Sequence, residues 1–369
     1  MHKTYHILIL IILLSFIVNA TNVNYKNKKI RKKYCKKCLQ QVEKRKLMYC
    51  NKCPILENAI SLNLISPEKL FDTNSKWSSA ILLSNYTKFD YNKIKNLIVF
   101  GDSHSAVSTN FTNMSYTGNG HTGGKNWSIY LSEFNKMKLW NFATYGAVVD
   151  SKITYHRNNT IDFLKQYELF YERMSNGKKY FNEWNKYNTL IAIFMGTNDV
   201  HHLNQKCKSE QSIFCAKNNK TINENINNIT DIIFEIINKF YNIRARNILI
   251  LTPLNKPYIF NINHYSTNNT SIFNNNMINK SIQFFEKHND TNFIIYNPNN
   301  EIKNIVTNCN KYNFKDCKNM WKDNKTDNLT DYLWVDSHLS EVGNKYLTED
   351  INDLLNSLSQ QTNSKRRIH

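Results

Sequence analysis

Four short stretches of this chain carry the residue types that acyl transfer from an ester needs, in a usable order. Phe100-Gly101-Asp102-Ser103-His104-Ser105 offers a hydroxyl, and Gly146 offers a backbone N–H. Gly196-Thr197-Asn198-Asp199 offers a side-chain amide, and Asp336-Ser337-His338 an imidazole with a carboxylate two residues before it. A serine hydroxyl becomes a useful nucleophile only when a base takes its proton. His338 is the candidate base, because Asp336 is near enough in sequence to orient its ring; His104, His121, His201 and His202 are the alternative histidines. The charge that develops on a substrate carbonyl oxygen needs fixed donors, each worth about 3–4 kcal/mol of transition-state stabilisation. The N–H groups of Ser103 and Gly146 and the amide of Asn198 are the candidate donors. Glycine suits the task because no side chain blocks the approach to its amide.

These residues need elements that bring them together. Asn96–Phe100 is a short apolar run ending at a Gly-Asp turn, as a buried parallel strand does. Leu190–Met195 is the strongest such run and also ends at glycine; Leu139–Phe142, Ile248–Leu251 and Phe293–Tyr296 complete a set of five predicted strands. Between them, Ile222, Ile226, Ile229, Ile233, Ile236, Ile237 and Phe240 recur at spacings of three and four, the core stripe of a long amphipathic helix. Leu164–Met174 and Ile278–Phe285 have helical character too, and Val342, Tyr346, Leu347, Ile351, Leu354 and Leu355 mark a closing helix. Strands alternating with helices predict a parallel sheet covered on both faces. Loops at the carboxyl ends of its strands collect the ligand site, and three of the four stretches follow predicted strands directly.

The four stretches resemble the blocks of the SGNH (GDSL-type) hydrolases, a family of serine esterases and lipases. Phe100–Ser105 matches the first block, with His104 where the name-giving leucine often stands. Asn141–Ala147 resembles the second block, Gly196–Asp199 the third, and Trp334–Ser340 the last. Gly123–Leu131 further resembles the Gly-x-x-Trp-x-x-x-Leu stretch of secreted fungal and plant members. The resemblance covers about residues 92 to 358. It implies an α/β fold, a three-layer α/β/α sandwich with a mainly parallel five-stranded sheet of the SGNH or flavodoxin-like kind. It also implies Ser103 as nucleophile, His338 as base, Ser103 N–H, Gly146 N–H and the Asn198 amide as oxyanion hole, and no cofactor or metal. Asp102 then holds the nucleophile turn rather than moving protons. The family places its acid three residues before the histidine, where this chain has Val335. Either the turn is one residue shorter and Asp336 still reaches His338, or another group such as a backbone carbonyl orients the ring. The implied substrate is a small acyl ester, an acetyl group on plant or cell-wall carbohydrate, with a lipid ester as the alternative. The shortened last block also leaves room for a glycan-binding protein on the same fold without turnover.

The remainder of the chain bears on location and partners. Residues 1–20 read as a secretory signal peptide: a short polar start, an apolar stretch from Ile7 to Val18, and a Val18-Asn19-Ala20 end of the kind a signal peptidase cleaves. The apolar stretch is shorter than the ~20 residues that span a bilayer, so a secreted product is expected. Residues 21–90 form a basic, Cys-rich arm and linker, residues 91–358 the hydrolase domain, and residues 359–369 a polar basic tail. The formal charge of +19 is carried mostly by lysine, and a positive field concentrates anions, so the arm is a candidate contact for anionic polysaccharide. Charge without base-reading features does not make a nucleic-acid site, and secretion opposes one. Eight cysteines in a secreted chain point to disulfides. Cys207 with Cys215, and Cys309 with Cys317, could each close a local loop. Cys35-x2-Cys38 and Cys50-x2-Cys53 have either the spacing of a zinc ribbon or two further disulfides. Asn-x-Ser/Thr sequons recur, among them those at Asn85, Asn110, Asn126, Asn158, Asn228 and Asn328, each an acceptor only where it reaches the surface.

Overall fold

A computed structural model of the protein describes residues 79–364, apart from residue 119 and residues 157–159, 204–213, 217 and 256–266. The expected signal peptide, residues 21–78 of the stretch read as basic arm and linker with its four early cysteines, Cys207 and the sequon at Asn158 lie outside the described residues.

The apolar runs form the central sheet. Its strands are β1 (Ser79–Leu82), β2 (Asn96–Gly101), β3 (Lys138–Asn141), β4 (Thr189–Phe194), β5 (Asn247–Leu251) and β6 (Asn292–Tyr296). They lie in the order β1-β6-β5-β4-β2-β3. Strands β2 to β6 are all parallel to their neighbours, and β1 alone runs antiparallel, against β6. The five predicted strands are all present. The sheet is six-stranded rather than five-stranded, because Ser79–Leu82, in the stretch read as arm and linker, adds an edge to β6. So short a run has too few residues to show a period.

Helices α1 (Trp127–Phe134), α2 (Phe163–Met174), α3 (Thr197–His202), α4 (Ile222–Asn242), α5 (Thr267–Lys287), α6 (Pro298–Thr307) and α7 (Glu341–Ser364) connect and flank the strands. Parallel crossovers are right-handed. The step from β2 to β3 therefore puts α1 on one face, and the steps back through β4, β5 and β6 put α2, α4 and α5 on the other. Packing agrees: α1 lies against α7, and α4 against α5. Helix α4 starts at a capping box between Thr221 and Glu224 and buries Ile226, Ile229, Ile233, Ile236, Ile237 and Phe240. Helix α7 continues past residue 358 into the stretch read as tail.

The direction of chain travel reverses between β2 and β4, which makes their carboxyl ends a topological switch point, where open α/β sheets bind ligands. An aromatic cluster supports that spot. Phe100 stacks on Phe142 at 5.4 Å and meets Phe163, Phe170 and Phe240 at 5.7, 5.7 and 4.9 Å. Truncating such a buried ring costs about 3–5 kcal/mol, so the floor of the switch point is among the firmest parts of the core.

Two short strands, β7 (Asp316–Met320) and β8 (Tyr332–Trp334), pair in parallel apart from the main sheet. Cys309 and Cys317 are disulfide-bonded, closing one of the two local loops expected. The sequon asparagines Asn85, Asn110 and Asn328 are exposed. Asn126 is buried, and its side chain caps α1 by accepting from the N–H groups of Ser128 and Ile129, so it is no surface acceptor.

Candidate active site

Strand β2 ends at Gly101, and the next turn is held from within. Asp102 is buried; its carbonyl accepts from Ser105 N–H and Ala106 N–H, both at 3.0 Å, and its Oδ1 accepts from His104 N–H at 2.9 Å. This is the turn-holding part expected of Asp102. Outer contacts fix the same turn. Gln166 of α2 exchanges two hydrogen bonds with the Gly101 backbone, at 3.1 and 2.9 Å. Asn141 donates to the Ser105 carbonyl at 2.8 Å, and the Trp127 indole donates to Ser105 Oγ at 3.0 Å. Ser103 stands at the tip of this frame.

From the other side of the sheet's end comes a tight turn. Val335 N–H donates to the His338 carbonyl at 3.0 Å, closing a turn over Val335-Asp336-Ser337-His338. The Trp334 indole donates to the carbonyl of Cys317 at 3.0 Å, so the Cys309–Cys317 staple reaches the residue two before Asp336. The turn delivers His338 to Ser103: Nε2 lies 2.7 Å from Ser103 Oγ. His338 Nδ1 lies 2.6 Å from Asp336 Oδ1. An ionised carboxylate can only accept, so the proton of the neutral ring sits on Nδ1 and the lone pair of Nε2 faces the hydroxyl. The acid two residues before its histidine therefore reaches it, and no backbone carbonyl is needed in its place. Burial pushes the Asp336 carboxyl up, but His121 and His338 facing it outweigh burial and hold it well below the usual carboxylate range.

The three donor candidates sit on segments tied to one another. Gly146 lies in the loop after β3 with φ +70°, a left-handed conformation that favours glycine. Thr144 N–H of that loop donates to the Gly101 carbonyl at 3.1 Å. Gly196, at φ +104°, turns the chain from β4 into α3, and Asn198 follows it. One N–H of the Asn198 amide donates to the Ala147 carbonyl at 2.9 Å, which leaves the other for a ligand. The N–H groups of Ser103 and Gly146 donate to no acceptor among the described residues. A hydroxyl beside an oriented imidazole, on a turn tied to the loop that carries Gly146 and through it to Asn198, is equipped for acyl transfer through a covalent intermediate.

A scan of the chain against family models matches the GDSL-like lipase/acylhydrolase model over residues 97–351. The chain belongs to the GDSL-like lipase/acylhydrolase family. It is thus an ester-hydrolysing enzyme by family, as the resemblance implied. Among solved structures, this family member is similar to a lipolytic protein of the G-D-S-L family from Desulfitobacterium hafniense (12% identity, 70% of this chain and 99% of that one, TM-score 0.35). It is also similar to an acetyl xylan esterase from Butyrivibrio proteoclasticus (13%, 71% and 63%, TM-score 0.38). A third is a carbohydrate esterase family 2 enzyme with a carbohydrate-binding domain from Corynascus thermopiles (10%, 72% and 66%, TM-score 0.40). Likenesses this low carry no argument about substrate. No curated protein matches the chain.

Of the alternative histidines, two stand beside His338 in this GDSL-family site. His104 meets its ring at 4.6 Å between centroids, and His121 stacks on it at 4.6 Å with the planes 17° apart. His201 and His202 lie on α3. His121, Asp336 and His338 offer donor atoms within 4.8 Å of one another. In this arrangement both Nδ1 atoms face the Asp336 carboxylate, that of His338 at 2.6 Å and that of His121 at 3.6 Å. Sequence reasoning missed Gln166, which sits in the first turn of α2 with no motif around it. It named His121 only as an alternative base, since nothing local in the sequence ties it to Asp336.

Proposed function

We propose that this chain is a secreted serine esterase that cleaves small acyl esters, acetylated carbohydrate among them, through an acyl-enzyme. Ser103 Oγ attacks the ester carbonyl carbon as His338 Nε2 takes its proton. The carbonyl oxygen becomes an oxyanion against the N–H groups of Ser103 and Gly146 and the free N–H of Asn198. Its collapse breaks the bond to the alcohol oxygen, which leaves with the proton from His338. Water then repeats the sequence on the acyl-enzyme and releases the acid. Asp336 stays ionised throughout and stabilises the imidazolium.

The observation that carries this reading is the 2.7 Å contact of Ser103 Oγ with His338 Nε2, continued at 2.6 Å to Asp336. Support for a small polar substrate comes from the mouth of the site. His121 and Tyr145 are exposed there, their rings edge to face at 5.2 Å, and the sequence offers no long apolar lid. Support for secretion is the pattern of residues 1–20 alone, and the basic arm remains the candidate contact for anionic polysaccharide.

The test is turnover of acetylated sugars and of longer acyl esters by the purified protein and its Ser103→Ala variant. The reading expects the parent to favour the acetyl esters and the variant to lose all but a trace of activity. Equal turnover by both proteins would remove Ser103 as nucleophile, and a preference for long acyl chains would replace the carbohydrate ester with a lipid.

A further inference from the structure

Asp336 stands between two imidazoles. Oδ1 is taken up by His338, through Nδ1 at 2.6 Å and the backbone N–H at 2.8 Å. Oδ2 faces Nδ1 of His121 at 3.6 Å. The His121 ring covers one side of His338, while His104 lies near it at the angle of a tilted pair, 44°. Tyr145 meets the edge of His121. The segment that carries His121 is itself anchored: Gly118 N–H donates to the Val107 carbonyl at 3.1 Å, and the buried Thr122 hydroxyl bonds to the Gly124 carbonyl.

The short spacing of Asp336 and His338 gives this arrangement a purpose. A carboxylate two residues before its histidine must fold back over its own backbone, and Asp336 does so by accepting the His338 N–H. Rotation about its last side-chain bond then decides whether Oδ1 stays in line with Nδ1. The other oxygen is the lever for that rotation, and His121 is the group that faces it. A separation of 3.6 Å is longer than a direct hydrogen bond but close enough for an ion pair when His121 is protonated.

We propose that His121 is a positioning residue for the hydrolysis proposed above, holding Asp336 through Oδ2 and covering His338 so that the acid, base and hydroxyl stay in line despite the shortened turn. The inference rests on that reading of the site. His121 does not reach Ser103; its influence passes through Asp336 and His338.

Three variants separate the two parts of this role. His121→Ala removes ring and donor, His121→Phe keeps a ring on His338 without a donor, and His121→Asn keeps a donor near the place of Nδ1 without the ring. Each is assayed for kcat, KM and the pH dependence of kcat/KM on an acetyl ester. Low-field proton NMR of the His338 Nδ1–H gives a readout independent of turnover. His121→Ala should lose about tenfold in kcat, the low end of the loss seen when an outer group that orients a site's own ligands is removed, with KM little changed. Its acidic limb should shift and its Nδ1–H signal move or broaden. His121→Asn should recover most of the loss and His121→Phe little. An unchanged kcat, pH profile and Nδ1–H signal in His121→Ala would overturn the proposal, as would equal recovery by Phe and Asn. Because the His121 side chain is 47% exposed, the variants should melt with the parent. If His121→Ala does not, the Phe and Asn pair, which restores volume, decides. An inactive Ser103→Ala beside a parent-like His121→Ala defeats this inference alone, whereas an active Ser103→Ala defeats the reading of the site.

Discussion

Asp336 and His338 are joined twice through one atom: Oδ1 of Asp336 accepts both the backbone N–H of His338, at 2.8 Å, and its Nδ1–H, at 2.6 Å. The first contact closes a small ring between side chain and backbone, the local turn that aspartate favours. The second then follows with little further freedom for the ring. A spacing one residue shorter than the family pattern is thus built as a turn that brings the carboxylate to the ring, with Oδ2 left facing His121.

On the proposed reading, Asp336→Asn should lower kcat by about 10³–10⁴ with KM nearly unchanged. The amide would favour the wrong imidazole tautomer and put a proton on Nε2, where the lone pair is needed. Steady-state kinetics on one acetyl ester checks this. A loss of less than tenfold would mean that the ring is oriented without the carboxylate.

Asn198→Ala should cost about 10²–10³ in kcat, the usual effect of removing one oxyanion donor. The same substitution breaks the bond from Asn198 to the Ala147 carbonyl, so the loop carrying Gly146 loses a tie. Measuring kcat beside the melting temperature separates the two effects. A drop in kcat without a comparable drop in melting temperature assigns the loss to the oxyanion.

Breaking the Cys309–Cys317 staple should act on both stability and rate. The bridge spans a sequence separation of 8, and closing so short a loop contributes about 2–3 kcal/mol on the chain-entropy account. Cys317 also supplies the carbonyl that anchors Trp334, two residues before Asp336. The Cys309→Ser, Cys317→Ser double variant should melt earlier than the parent and turn over more slowly at a temperature where both are folded. Parent-like kcat there would show that the His338 turn holds without the staple.

The sheet and the chemistry-bearing residues were legible because each is a local signal. Asn96–Phe100 and Leu190–Met195 are short, mostly apolar runs of strand length, and both end at glycines that turn into the site. The α4 stripe gave its helix from Ile222 to Phe240. Helix α5 was legible only in its second half, since its Asn-rich opening has neither apolar period nor strong helix propensity. Strand β1 was invisible because an edge strand of four residues is specified by its partner β6 rather than by its own pattern. Gln166 and His121 were illegible for one reason: each matters through a contact made across the fold, to Gly101 and to Asp336, and nothing in their own neighbourhoods announces it.

Asp199, the last residue of the third block, gives a prediction for stability. It is fully buried, and burial raises its pKa from 3.8 to about 7, with hydrogen bonding from Val149 N–H lowering it less and the nearby Asp102 adding to the rise. The folded chain therefore holds this proton more tightly than the unfolded chain does. The contribution to stability is complete below about pH 4 and is lost as the pH rises through about 7, because across that window the unfolded chain has released a proton that the folded state still holds. A tenfold difference in proton affinity is worth about 1.4 kcal/mol, so the loss is on the order of a few kcal/mol. Asp199→Asn keeps an oxygen for Val149 N–H and has no proton to release. Its melting temperature should fall less between pH 5 and pH 8 than the parent's, which thermal melts across that range would measure. Parallel curves for the two proteins would show that Asp199 is already ionised throughout, with the hydrogen bond from Val149 N–H outweighing burial.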